Sequence, residues 1–131
     1  MMRLFLIACG GAAGTLLRYL LSGVDYKFSN GIFPVSTMIV NLSGSLVIGF
    51  LWGLFERVSV SPDVRMFMFI GILGGFTTFS TFSLENFNLI RDGEVKIALI
   101  NIGITNLAGI FFVYAGFSVS RLLIDMLKEA W

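Results

Sequence analysis

Residues 74–83, with the sequence GGFTTFSTFS, combine two glycines, five hydroxyl side chains and three phenylalanines inside an otherwise apolar segment. Each glycine lowers helix stability by about 1 kcal/mol relative to alanine. Irregular backbone at membrane depth is tolerated only inside protein or beside a water-filled cavity. The run therefore predicts a break in a membrane-spanning helix, at a place where a polar species binds or passes.

The rings and hydroxyls of this run suit a small anion. Phe76, Phe79 and Phe82 recur every third residue, so on a regular helix they would lie roughly on one face. An aromatic ring is negative on its face and positive at its edge, and hydroxyls and amides donate hydrogen bonds. The alternative is structural: rings that pack between helices and hydroxyls that bond back to the preceding turn. Ten such residues in succession within a span favour a functional site.

Composition indicates an integral membrane protein of one domain, residues 1–131. The chain is 56% hydrophobic and 13% charged, against about 25% charged in soluble domains. Mean hydropathy is +0.91. A net charge of +1 without a block of like charges predicts no nucleic-acid partner. The absence of His and the single Cys9 exclude a Cys/His zinc site and an intrachain disulfide.

Four apolar segments are each long enough to cross a bilayer: residues 4–21, 35–55, 66–90 and 97–119. The first apolar segment continues on both sides of Cys9, so it predicts an uncleaved transmembrane helix rather than a lipoprotein signal sequence that is cleaved before that cysteine. Turn signals separate the others: Asn30-Gly31 with Pro34, Ser61-Pro62-Asp63, and Asp92-Gly93. Short links make neighbouring spans antiparallel and put both termini on one side. Trp52 and Trp131 are expected as interfacial anchors.

The basic residues give only a weak orientation signal. The side with the termini carries Arg3, Arg57, Arg65, Arg121 and Lys128, and the other side carries Lys27, Arg91 and Lys96. This balance allows both orientations in the membrane.

Small residues repeat at four-residue spacing along three segments, which predicts close helix packing. They are Gly10 and Gly14; Asn41, Ser45, Gly49 and Gly53; and Asn101, Thr105 and Gly109. Asn41 lies about two turns into an apolar helix, where an unsatisfied amide is unfavourable, so it is expected to face protein or water. A homodimer is the simplest way to bury these faces.

Residues 74–83, followed by Glu85, resemble the signature of the Fluc/CrcB family of fluoride channels. The likeness covers the whole chain, with supporting matches at Gly14, Arg18-Tyr19 and Val40-Asn41. The resemblance implies four transmembrane helices with a broken third helix, assembled as an antiparallel, dual-topology homodimer with two pores.

The resemblance also implies residue roles. Phe79 and Phe82 match the paired phenylalanines whose edges line the fluoride path. Asn41, Ser80 and Thr81 match polar groups beside that path, and Arg18 and Glu85 match residues near the pore mouths. Gly74 and Thr77 match positions whose backbone carbonyls bind a structural sodium ion at the dimer interface. From the residues alone, Arg18 and Glu85 could equally snorkel to the headgroups.

The expected function is therefore passive, selective export of cytoplasmic fluoride across the inner membrane, without enzymatic activity. Two other classes fit a small four-span protein. A proton-coupled multidrug transporter would need a carboxylate in its substrate cavity, whereas the first two segments carry only Arg18. A non-transporting assembly subunit would show no ion flux by itself.

Overall fold

The computed structural model describes residues 1–22 and 32–129, which form helices joined by short turns. Helix α1 covers Met2–Leu21 and α2 covers Val35–Arg57. The third span, Pro62–Arg91, contains α3 (Pro62–Met66), a π-helical segment (Phe67–Leu73), α4 (Gly74–Phe76) and α5 (Phe79–Arg91). Helix α6 covers Val95–Glu129. Within the described residues, four spans are therefore long and apolar enough to cross a membrane. Asn30-Gly31, Lys27 and Trp131 lie outside the described residues.

The third span is not helical at Thr77 and Thr78, which have extended backbone with ψ of 157° and 113°. Helix α4 ends at Phe76 and α5 begins at Phe79. Phe76 therefore belongs to a different helical segment from Phe79 and Phe82. The three rings therefore do not share the single face that they would have on a regular helix, because the interruption falls between the first ring and the second.

The spans pack as two parallel pairs, α1 with the third span and α2 with α6. Glycines form the contact lines, as the four-residue spacing predicted. A Cβ at Gly14 would lie 2.1 Å from the carbonyl oxygen of Ile72, and one at Gly49 would lie 2.0 Å from that of Val113. Both distances are shorter than any van der Waals contact, so these positions require glycine.

Ion pairs join the helix ends on the side of the termini. Arg3 pairs with Asp63 at 3.2 Å, Arg121 with Glu56 at 3.2 Å, and Arg57 with Asp125 at 3.4 Å. The contacts confirm that spans consecutive in the chain are antiparallel and that the described ends of α1 and α6 share a side. Helix α6 continues past residue 119, where the sequence predicted its end, and charged residues beyond that point pair with the end of α2.

Two predicted turns are also found, and Trp52, which the sequence predicts as an anchor, lies near the end of α2. The side chain of Ser61 accepts a hydrogen bond from the Val64 amide and caps α3. Gly93 adopts a φ of +88° in the link between α5 and α6, which is a backbone conformation that glycine adopts without strain. The Trp52 indole donates to Glu56 at 3.0 Å near the end of α2.

Candidate functional site

The interruption in the third span is held by Asn41 of α2. Its Nδ2 donates to the Thr78 carbonyl at 3.1 Å, and its Oδ1 accepts from the Thr78 amide at 2.9 Å. One side chain therefore supplies both partners that the backbone of Thr78 loses where the helix is interrupted. The amide of Asn41 faces protein, as its place in an apolar helix predicted.

Thr78 also begins the next helix. Its Oγ1 accepts from the Thr81 amide at 3.2 Å and donates to Thr81 Oγ1 at 2.9 Å, with Ser80 Oγ at 3.4 Å. Thr78 is thus a side-chain N-cap for α5. The first amides of a helix have no intrahelical acceptor and carry the positive end of its dipole. The amides at the start of α5 therefore create a favourable electrostatic environment for an anion within the span.

Two carbonyls, that of Gly74 before the interruption and that of Thr77 within it, have lost their usual helical donors. The amide four residues after Gly74 is that of Thr78, which donates to Asn41. The amide four residues after Thr77 is that of Thr81, which donates to Thr78 Oγ1. The carbonyl oxygens of Gly74 and Thr77 thus resemble the ligands that hard cations prefer.

Two cavities of about 350 Å³ each adjoin at Thr78, which lines both. We call the first the arginine cavity. Arg18 of α1, Glu85 of α5 and Thr81 of α5 all line it. Thr37 donates a hydrogen bond to Glu85 Oε1 at 2.7 Å. The remaining lining residues are mostly polar or hydroxylated: Thr15, Tyr19, Ser22, Ser36 and Val40.

We call the second the phenylalanine cavity. Phe79 and Phe82 line it together, with ring centroids 5.9 Å apart and planes inclined by 39°. Phe79 is 77% exposed, whereas Phe82 is only 7% exposed. Three other predicted residues, Asn41, Gly74 and Thr77, line this cavity as well, together with Gly44, Ser45, Thr105 and Asn106.

The structure thus brings the sequence-predicted residues into two adjoining groups. Arg18, Glu85 and Thr81 line the arginine cavity, and Asn41, Gly74, Thr77, Phe79 and Phe82 line the phenylalanine cavity. Ser80 lines neither of these two cavities and instead contacts Thr78. The ring of Phe76 packs beside Gly44 of α2.

Sequence reasoning missed Thr78 as the residue shared by both cavities and Asn86 as a buried amide. Asn86 is 4% exposed and contacts Asn101, which is 1% exposed, at 3.1 Å. The rule that identified Asn41 also applies here, because an amide in an apolar span needs a partner. Two such asparagines on consecutive spans predict contact with each other.

Comparison with known proteins matches residues 5–117 to the family model described as CrcB-like protein, Camphor Resistance (CrcB). The chain is similar to proteins named fluoride-specific ion channel FluC. One from Aquifex aeolicus is 44% identical, covering 91% of this chain and 97% of the relative. One from Pyrococcus furiosus is 46% identical, covering 88% and 94%. One from Maridesulfovibrio salexigens is 41% identical, covering 91% and 95%.

Proposed function

The chain belongs to the CrcB-like protein family, and on that premise we propose that it is a fluoride channel that lets fluoride leave the cytoplasm passively through the inner membrane. The full-length similarity to proteins named fluoride-specific ion channel carries this conclusion. The protein crosses the membrane several times. Passive conduction is not an enzymatic reaction. Its selectivity depends on how well groups along the path replace the water molecules around the ion.

The proposed path runs from the arginine cavity past Thr78 to the phenylalanine cavity. Arg18 attracts the anion at the mouth, and Glu85 limits how strongly it is held there. The amides at the start of α5 and the hydroxyl of Thr81 then replace water molecules, and we place the hydroxyl of Ser80 beside the passage at Thr78, 3.4 Å from Thr78 Oγ1. The adjoining volumes at Thr78 and the polar lining of the arginine cavity support this route.

Beyond the interruption, the ring edges of Phe79 and Phe82 and the amide of Asn41 contact the ion. Asn41 Nδ2 has two hydrogens, and Thr78 accepts one of them, which leaves the second for fluoride. The 77% exposure of Phe79 in a single chain supports a position facing an ion path or a second subunit.

The working unit is an antiparallel, dual-topology homodimer. A single chain leaves the phenylalanine cavity open and exposes polar side chains within its spans, such as Asn106, whose carboxamide has more hydrogen-bonding groups than its one bond to the Ile102 carbonyl uses. Lipid cannot satisfy such groups, whereas a second copy can cover them. An antiparallel pair would place one phenylalanine cavity on each side of a two-fold axis.

A structural sodium ion would bind at that axis through the carbonyls of Gly74 and Thr77. Each chain offers two carbonyls without their helical donors, and two copies offer four. Na⁺ removal, with replacement by N-methylglucamine, should then lower both flux and dimer stability. Unchanged flux and an unchanged melting temperature in sodium-free buffer would contradict this role.

Ion efflux from liposomes containing only this protein tests the proposed function. Fluoride should leave the vesicles while chloride is retained, because the narrow lining of ring edges and single hydrogen-bond donors suits the smaller ion. Empty vesicles give the leak rate. Equal fluoride and chloride efflux, or pH-driven uptake of cationic drugs without fluoride efflux, would refute it.

A further inference from the structure

Three buried polar side chains form a hydrogen-bonded ladder between α5 and α6. Thr105 Oγ1 donates to Asn101 Oδ1 at 3.2 Å, and Asn101 Nδ2 donates to Asn86 Oδ1 at 3.1 Å. Asn86 Nδ2 then donates to the carbonyl oxygen of Phe82 at 2.7 Å. All three side chains are at most 9% exposed. The ladder therefore joins the backbone of a pore phenylalanine to the last helix.

The backbone carbonyl of Phe82 fixes the direction of every bond in the ladder. A carbonyl only accepts, so Asn86 must present Nδ2 to it and Oδ1 to Asn101. Asn101 must then present Nδ2 to Asn86 and Oδ1 to Thr105, whose hydroxyl has to donate. This arrangement has no second orientation that satisfies all its members, so it acts as a rigid tie rather than as an exchangeable network.

The position of Asn86 determines what that tie can control. Helix α5 buries one stripe of side chains, formed by Phe82, Asn86 and Leu89. An entirely apolar stripe would allow α5 to rotate or slide on α6 with little change in energy. A single buried asparagine in an apolar seam specifies register, because its hydrogen bonds form in one alignment only.

We propose that Asn86 is a positioning residue for fluoride conduction. It ties the Phe82 carbonyl to α6 through Asn101 and Thr105, and thereby fixes the rotation of α5 that aims the Phe82 ring into the phenylalanine cavity. The inference rests on the proposed function, since it assigns Asn86 an effect on the ion path and not only on stability.

A matched pair of variants tests it. Asn86→Thr keeps a hydroxyl that donates to the carbonyl four residues earlier, as Thr77 does to Leu73 at 2.9 Å, and that accepts from Asn101. The valine of Asn86→Val has nearly the same volume as that threonine, but it bonds neither to the Phe82 carbonyl nor to Asn101. Fluoride efflux per folded protein should fall by roughly tenfold or more in Asn86→Val, because small misplacements of an interacting group have large effects on rate. Asn86→Thr should stay within about twofold of the unaltered protein.

A double-mutant cycle with Phe82→Ile separates positioning from general stability. If Asn86 acts through the Phe82 ring, the Asn86→Val/Phe82→Ile double variant should release fluoride at nearly the same rate as Phe82→Ile alone. Multiplicative losses, unchanged efflux in Asn86→Val, or equal losses in the Thr and Val variants would each overturn the proposal. Fluoride efflux by the unaltered protein in the same assay shows independently whether the proposed function holds.

A further variant covers the case in which Asn86→Val does not fold because Asn101 is left without its acceptor. Asn86→Val/Asn101→Leu removes both amides, and replacing both partners of a buried hydrogen bond by apolar groups is much less destabilising than removing one. The Thr105 hydroxyl can then donate to the backbone carbonyl four residues earlier, as Thr77 does to Leu73. This double variant should fold, as judged by a single symmetric peak in size-exclusion chromatography, and still conduct roughly tenfold more slowly or worse. Conduction at the unaltered rate would overturn the proposal.

Discussion

Phe79 and Phe82 are adjacent in the phenylalanine cavity, yet they differ in what a substitution would disturb. Phe79 is 77% exposed within one chain, so its ring contributes little to the internal packing of that chain. Phe82 is buried and its carbonyl belongs to the ladder. A substitution at Phe79 therefore tests ring chemistry with little change in folding, whereas one at Phe82 alters both.

Replacing either ring by isoleucine should slow fluoride efflux by roughly tenfold or more, which corresponds to a rise of about 1.4 kcal/mol in the free-energy barrier to conduction. Isoleucine retains apolar bulk and removes the positive ring edge. Phe79→Met and Phe82→Met should be milder, because the thioether is flexible and polarisable. Efflux is measured on protein that elutes as a dimer from size-exclusion chromatography.

Phe76→Ile is the matched control for these substitutions. The Phe76 ring packs beside Gly44 on the other side of the interruption, so its replacement should lower the melting temperature more than the rate. Dimers of Phe79→Ile and Phe82→Ile that conduct at the unaltered rate would show that these phenylalanines are structural.

At the scale of helices, the pattern of apolar residues is sufficient to predict which segments cross a membrane. It is insufficient to predict which side chains of different spans contact each other. The span Val35–Arg57 begins where the apolar pattern begins, and its 23 residues agree with the length that a bilayer requires. The extension of α6 to Glu129 was missed because hydropathy does not register the pairs of Arg121 with Glu56 and Asp125 with Arg57. The partner of Asn41 was likewise unknown until the fold brought Thr78 against it.

The glycine seam between α2 and α6 gives a prediction at this scale. In Gly116→Ala, the new Cβ would lie 2.1 Å from the Leu46 carbonyl oxygen, so the two backbones would have to separate. The expected loss is about 1–3 kcal/mol of stability, seen as a lower melting temperature in detergent.

Gly103→Ala in the same helix is the control. A Cβ at Gly103 meets no atom within 4 Å in the described chain, and alanine favours helix by up to about 1 kcal/mol. Its melting temperature should stay the same or rise. If both alanine variants were equally stable, the close approach of α2 and α6 at Gly116 would be wrong.

At the scale of the whole molecule, the two helix pairs leave large apolar faces together with an open, partly polar cavity. Lipid suits the apolar faces, and a second copy suits the cavity. Three of the basic residues on the side of the termini pair with acidic residues of another span: Arg3 with Asp63, Arg57 with Asp125 and Arg121 with Glu56. Orientation, however, depends on the number of lysines and arginines near the span ends more than on net charge. The small excess of lysines and arginines on the side of the termini therefore does not fix the orientation of the chain in the membrane.

Adding lysines at one end of the spans should fix the orientation of the chain in the membrane. Val58→Lys/Ser59→Lys adds two basic residues beside the end of α2, on the side of the termini, where both positions are exposed. Asp92→Lys/Glu94→Lys adds two at the opposite end, where both positions are also exposed. Tags at the chain ends should be found on both sides of the membrane in the unaltered protein and on one side, opposite for the two variants, after substitution.

The functional consequence decides between parallel and antiparallel assembly. If the homodimer is antiparallel, either locked variant expressed alone lacks partners of the other orientation and should give little fluoride efflux from cells. Coexpression of the two variants supplies both orientations and should restore efflux. A parallel dimer or a monomer would conduct with either variant alone and would gain nothing from coexpression. The proposed antiparallel homodimer therefore requires three results together: tags on both sides in the unaltered protein, inactivity of each locked variant, and recovery when the two are combined.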